Sequence, residues 1–159
     1  MFCKINGELV YLWRAVDESG EVLDVLVQKR RDGMAAKRFF RKLFKDCWYA
    51  PRAIVTDKLA SYAAAKNELM QSVAHHRGRK MNNRAENSHQ PTRARERAMR
   101  RYKSWRQAQR FLSVHAQVSN HFRPGRHSMR ACQYRILMAG RIASWSEITG
   151  MSRATATCL

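Results

Sequence analysis

Acidic residues are scarce in this chain of 159: 12 Asp plus Glu face 31 Lys plus Arg, leaving a formal charge of +19. That imbalance points to a polyanionic partner, nucleic acid ahead of an anionic membrane surface. No run approaches the roughly eighteen consecutive apolar residues of a membrane-spanning helix. A basic segment followed by an apolar stretch is missing from Met1 to Gly7, so no secretory signal is read and the expected compartment is the cytoplasm. Cys3, Cys47, Cys132 and Cys158 form no C-x-x-C pair, which disfavours a zinc ribbon or a redox motif and predicts reduced, mostly buried thiols. Neither an internal repeat nor a low-complexity linker is present. Apolar residues make up 45% and aromatics 9% of the chain, in periodic blocks that exclude disorder. The length suits one domain burying roughly 70% of its unfolded surface.

The charge is uneven. Residues 1–70 carry a net charge of +4 and residues 71–159 one of +15. Within 77–110 stand 12 Lys or Arg against only Glu86 and Glu96. Alternating apolar residues and turn signals predict strands over Phe2–Asn6, Leu9–Val16 and Val22–Gln28, an antiparallel meander. From Met34 to Cys47, Ala35, Ala36, Phe39, Phe40, Leu43 and Phe44 recur at helical period. Ala53–Thr56 reads as a short strand ending at Asp57, Ser61–Met70 as a helix and Ser72–His75 as a fifth strand. Helices follow, one interrupted at Pro91 and another over Trp105–Phe122, which Pro124-Gly125 ends. This order is that of a ribonuclease H-like α/β domain, a mixed sheet with helices on both faces, over 1–122. Residues 123–159 read as a basic, partly helical tail.

Cleavage of a phosphodiester needs a nucleophile in line with the leaving oxygen and compensation of the charge that builds on phosphorus, which paired magnesium ions held by carboxylates supply. Asp57 follows a short strand, at the end where α/β sheets open their ligand crevice. Glu86 stands among Arg77, Arg79, Lys80, Arg84 and Arg93. Each has an ordinary alternative reading: Asp57 as a turn or helix-capping residue, Glu86 as a salt-bridge partner.

The local sequences are more specific. Ile54-Val55-Thr56-Asp57-Lys58-Leu59-Ala60-Ser61-Tyr62, Asn82-Asn83-Arg84-Ala85-Glu86-Asn87-Ser88-His89-Gln90 and Tyr11-Leu12-Trp13-Arg14-Ala15-Val16-Asp17 together resemble a DDE-type transposase of the insertion sequence 6 family. The resemblance runs from about residue 1 to 135 and includes Arg95-Glu96-Arg97, Lys103-Ser104 and Phe111-Leu112-Ser113-Val114-His115. It implies a ribonuclease H-like fold and an Asp-Asp-Glu triad that binds two Mg2+ (or Mn2+) ions for DNA cleavage and strand transfer. Asp57 matches the second Asp and Glu86 the Glu, with 28 residues between them, a gap somewhat shorter than is usual. The first Asp of the family falls before the position of Met1, and the helix-turn-helix that relatives use on element ends has no counterpart. A transposase shortened at its amino terminus is therefore expected. Asp17 fits better the family's structural Asp in the turn after the second strand than a metal ligand.

DNA contacts are expected from Lys58, Arg84, His89, Arg93, Arg95, Arg97, Arg100, Arg101 and Lys103, in part to phosphate. His75 and His76 have no carboxylate or thiol at ligand spacing. Trp105, Phe111 and Phe122 read as core. Three functions compete: a DNA transposase catalytic domain working on element ends and target DNA, oligomeric when DNA-bound and with no membrane partner; an inactive DNA-binding remnant that interferes with an intact transposase; and a stand-alone ribonuclease H-like nuclease.

Overall fold

A computed structural model describes residues 1–45, 51–57, 59–78, 83–125 and 129–151. Three strands come first, β1 (Phe2–Ile5), β2 (Glu8–Val16) and β3 (Val22–Gln28), then α1 (Gly33–Lys45), β4 (Ala53–Thr56), α2 (Ala60–Leu69) and β5 (Ala74–Arg77). Three helices follow: α3 (Asn83–Ala98), α4 (Trp105–Phe122) and α5 (Ala131–Thr149).

The meander forms as its turn chemistry directs. Asn6 and Gly7 both take positive φ, 51° and 82°, the two-residue turn whose twist matches the strands it joins. Ile5 thereby pairs with Glu8, and β2 pairs with β3 from Tyr11↔Gln28 to Val16↔Val22. Alternation divides the side chains of β2 between two cores. Val10 and Leu12, with Cys3, Ile5, Val25 and Val27, pack under Ala108, Leu112 and Ala116 of α4. Trp13 points the other way, into Ala35, Ala36, Phe39, Phe40 and Leu43 of α1 and Ala65 of α2. Helices thus cover both faces of the meander.

Helix α4 also closes the free edge of β3. Gln109 accepts from Val27 N–H at 2.8 Å and donates to the Val25 carbonyl at 3.0 Å, while Asn120 does the same for Val22 N–H and carbonyl, both at 2.8 Å. Side-chain amides here stand in for a neighbouring strand, which blunts an edge otherwise open to association.

Strands β4 and β5 pair in parallel, Ala53↔Ala74 to Thr56↔Arg77, joined through α2 as a crossover. Among the described residues the strands form two sheets, β1-β2-β3 and β4-β5, with no ladder between them. The mixed α/β content is as the sequence predicts and is compatible with a ribonuclease H-like domain.

Several expectations are corrected. Strand β5 lies two residues later than predicted, because Val73 is drawn into the aromatic core and Ser72 becomes part of the turn before it. Pro91 does not interrupt α3. Its ring removes one N–H from the ladder, but Arg14 of β2 donates to the Ser88 carbonyl and to Thr92 Oγ1 on either side of it and ties that turn down. Cys3 is buried as expected, whereas Cys132 is exposed on α5; Cys47 and Cys158 lie outside the described residues. Trp105 is 47% exposed rather than core, since it opens α4 directly after the Ser104 cap, before the buried stripe begins. Phe111 and Phe122 are half-buried. Helix α5 buries no side chain fully. It is held on α4 by Trp145 against Phe122, centroids 5.1 Å apart, and by Arg141, which donates to the His121 carbonyl at 2.9 Å. No helix among the described residues is long and apolar enough to cross a membrane.

Candidate active site and nucleic-acid surface

Asp57 is set by the strand that precedes it. At the carboxyl end of β4 its Oδ1 accepts from Leu59 N–H at 3.0 Å, a turn that leads into α2. Its Oδ2 takes Arg31, from the loop after β3, at 2.7 Å. The turn contact and the ion pair therefore use different oxygens. Thr56, next to it and buried, has its hydroxyl 2.8 Å from His75 Nε2. Tyr62 lies within the field of Asp57, and burial first, then that carboxylate, push its phenol well above the ordinary range.

Glu86 is in the first turn of α3, exposed and with no hydrogen-bond or ion-pair partner among the described residues. At helical period, Glu86, Arg93 and Arg97 fall on one face, turned away from the Ser88 and Thr92 side that Arg14 grips. Arg93, Arg95, Arg97, Arg100, Arg101 and Lys103 are all exposed. Arg100 and Arg101 have φ of 53° and 75°, a left-handed pair that costs of order 1 kcal/mol or more per residue and swings the chain from α3 into α4.

His89 sits one turn after Glu86, half-buried, with its Nδ1 enclosed and unpartnered. Burial, and then the cations of the Met1 amino group, Arg14 and Arg93, push its pKa down to about 3, so it stands neutral. The beginning of β1 lies close enough to Arg31, Arg93, Asp57 and Arg14 for all four to act on the Met1 amino group, after burial, which lowers its pKa. Asp57 and Arg93 of α3 thus both lie within electrostatic reach of the start of β1. Lys58 and the side chain of Arg84 lie outside the described residues.

Asp17 has the part expected of a turn residue. Its Oδ1 accepts from Ser19 Oγ at 2.7 Å and Glu21 N–H at 2.8 Å, closing the β2–β3 hairpin. Among the described residues, no three His, Cys, Asp or Glu side chains converge so as to hold a metal ion. With Arg31 on one oxygen of Asp57, the described carboxylates do not make a metal centre by themselves.

Two residues at this site escape sequence reasoning. Arg31 is one cation in the Lys29-Arg30-Arg31 run, and nothing in its spacing pairs it with a carboxylate 26 positions away. Arg14 did carry a signal: it interrupts Leu12-Trp13-Arg14-Ala15, a stretch apolar on both faces of the strand, where a charge needs a buried partner.

Comparison with known proteins gives the family. Residues 1–125 match the DDE domain of IS240-type transposases. The transposase for the insertion sequence-like element IS431mec of Staphylococcus aureus is 32% identical over 71 residues, which are 45% of this chain and 31% of that protein. The transposase for insertion sequence element IS257 in transposon Tn4003, also from Staphylococcus aureus, matches to the same extent. An uncharacterised protein, pYV0051, of Yersinia pseudotuberculosis is 31% identical over 72 residues, 44% of this chain and 67% of its own. The match therefore spans about a third of the length of the staphylococcal transposases, at 31%. No solved structure matches. With the meander, the parallel pair ending in Asp57 and the Glu86 helix all inside the matched stretch, the chain belongs to the DDE transposases of the insertion sequence 6 family.

Proposed function

We propose that this chain serves as a DNA transposase catalytic domain, cutting phosphodiester bonds at element ends and joining the freed 3′ hydroxyl to target DNA. The observation that carries the reading is that Asp57 and Arg93, which shares a face of α3 with Glu86, both lie within electrostatic reach of the start of β1. Divalent metal ions serve the DDE family generally. Here Mg2+ or Mn2+ would draw on Asp57 and Glu86 and requires a further ligand beyond the described set. What this chain's own residues contribute is binding and orientation. Arg93, Arg97 and Arg100, with Arg95, Arg101 and Lys103 around them, hold the DNA backbone, and Lys58 and Arg84 belong to the proposed contacts on the strength of the sequence alone. His89, neutral and enclosed, would meet DNA as an uncharged group rather than as a cation on phosphate. Assembly of several copies on DNA belongs to the same proposal.

One observation favours the second reading, a DNA-binding remnant without activity. Arg31 already neutralises the outward oxygen of Asp57, and no third ligand stands beside it among the described residues. A nicking assay on labelled element-end duplex with Mg2+ or Mn2+ separates the two. It is run on this chain and on one extended upstream by the family's first Asp, which would enter beside Asp57. Nicking by either chain that is abolished by Asp57→Asn and by Glu86→Gln supports the transposase reading. Nicking that survives both substitutions overturns the assignment of these residues. DNA binding with no nicking by either chain establishes the remnant.

A further inference from the structure

Trp105 is the only exposed tryptophan among the described residues, at 47%. Its backbone is fixed: it is the first residue of α4, whose Ser104 cap accepts from Gln107 N–H at 3.1 Å. The ring forms one wall of an open groove of about 440 Å³ between α4, the end of β3 and the start of α1. Met34, 65% exposed, supplies apolar surface in the same groove, and Lys29, Arg30 and Arg38 supply its charge. The one acid in the lining, Asp32, is committed to the fold, its Oδ1 accepting from Ala35 N–H at 2.8 Å. Lys29 is paired with Glu8 at 2.9 Å, whereas Arg30 and Arg38 have no ion-pair partner among the described residues. The Arg106 guanidinium lies over the Trp105 ring, 5.4 Å from its centroid, so a planar cation already uses that face.

An exposed aromatic face beside unpaired arginines is the pairing of chemistries that holds single-stranded nucleic acid: the ring takes a base, the cations take its phosphates. Duplex DNA offers no such fit, because its base faces are stacked on one another. We propose that this groove binds unpaired DNA, with a base stacked on Trp105 and phosphates on Arg30 and Arg38, Arg106 turning from the ring to the backbone. The groove is distinct from the arginine face of α3, and the inference goes beyond the catalytic reading without depending on it. Arg31, next to Arg30 of the groove, carries the ion pair to Asp57.

The test uses the full chain and two fluorescein-labelled probes, oligo(dT) and a mixed-sequence duplex of equal length, in anisotropy titrations. Trp105→Ala is expected to weaken oligo(dT) binding by on the order of tenfold, to change duplex binding less than twofold, and to leave the far-UV spectrum and melting temperature as they were. Trp105→Phe should restore most of the loss. Arg30→Ala with Arg38→Ala should make the log–log salt slope for oligo(dT) shallower by about 1.4. Unchanged oligo(dT) binding by Trp105→Ala, or an equal loss on both probes, overturns the proposal. Photocrosslinking of an oligonucleotide carrying 5-iodouracil to the unmodified chain tests the same contact without depending on the folding of any variant. Attachment at Trp105 is expected, and attachment confined to α3 contradicts the proposal.

Discussion

Helices α1 and α3 are held by opposite means. α1 buries five of its 13 residues, Ala35, Ala36, Phe39, Phe40 and Leu43, against Trp13 and α2. α3 is longer, 16 residues, yet among its described side chains only Thr92 is buried. α1 is where it is because its apolar stripe has to leave water. α3 has no such stripe and hangs from β2 by the Arg14 guanidinium, which leaves most of its surface unconstrained by packing. Glu86 and the arginines occupy that surface, so of these two helices the one less needed by the core is the one available to a partner.

The strongest way to break this contrast is at the packed helix. Phe39→Ala empties a ring that is 3% exposed and packs at 6.0 Å on Trp13, and it should cost about 3–5 kcal/mol in denaturant unfolding. Glu86→Gln, by contrast, should leave the unfolding curve in place. An equal loss from both would show that α3 is part of the core after all.

Next comes the tether. Arg14→Ala removes two hydrogen bonds from a guanidinium whose charged form is already opposed by burial, a loss of about 1.5–3 kcal/mol. Hydrogen exchange should quicken over α3 before it does over α1. Arg14→Lys should not rescue it, because a single ammonium cannot span both acceptors as the planar fork does.

A pH-dependent effect follows from His89. Its folded pKa of about 3 lies below the ordinary 6.5, so the unfolded chain takes up the proton first. The stabilisation is complete above about pH 6.5 and is lost as the pH falls toward 3, with a slope of at most about 1.4 kcal/mol per pH unit. His75 and His115 are shifted downward too, by burial first, and add to the same slope. His89→Gln should flatten the pH dependence of the melting temperature between pH 4.5 and 6.5, taken as roughly the window where few carboxylates titrate. An unaltered dependence would place His89 in water.

The contrast also explains what was legible in the sequence. Where burial fixes an element, its period is written in the residues, and so β2, β3, α1 and α4 could be placed closely, α4 at both ends. Asp57 could be placed as well, because it ends a strand. α3 could not: without an apolar period, Pro91 reads as a break, and the tether that keeps the helix whole comes from a strand 74 positions away. The same holds for the Arg31 pair and for the Gln109 and Asn120 clasp on β3, polar contacts made between distant segments that no periodicity records. Trp105 misled for a related reason. It continues the apolar stripe of α4 in sequence, but at the helix start it borders an open groove rather than a closed core.

The central claim is that α3 presents its free face to the DNA backbone, and the salt dependence of duplex binding tests it most directly. Wild type, Arg93→Ala with Arg97→Ala, and Arg135→Ala on the exposed face of α5 are titrated with one duplex over a range of salt. The α3 double variant should bind more weakly at low salt, with a log–log slope shallower by about 1.8, while Arg135→Ala keeps the wild-type slope and all three unfold alike. A slope unchanged by the α3 substitutions, or reduced equally by Arg135→Ala, would contradict the claim.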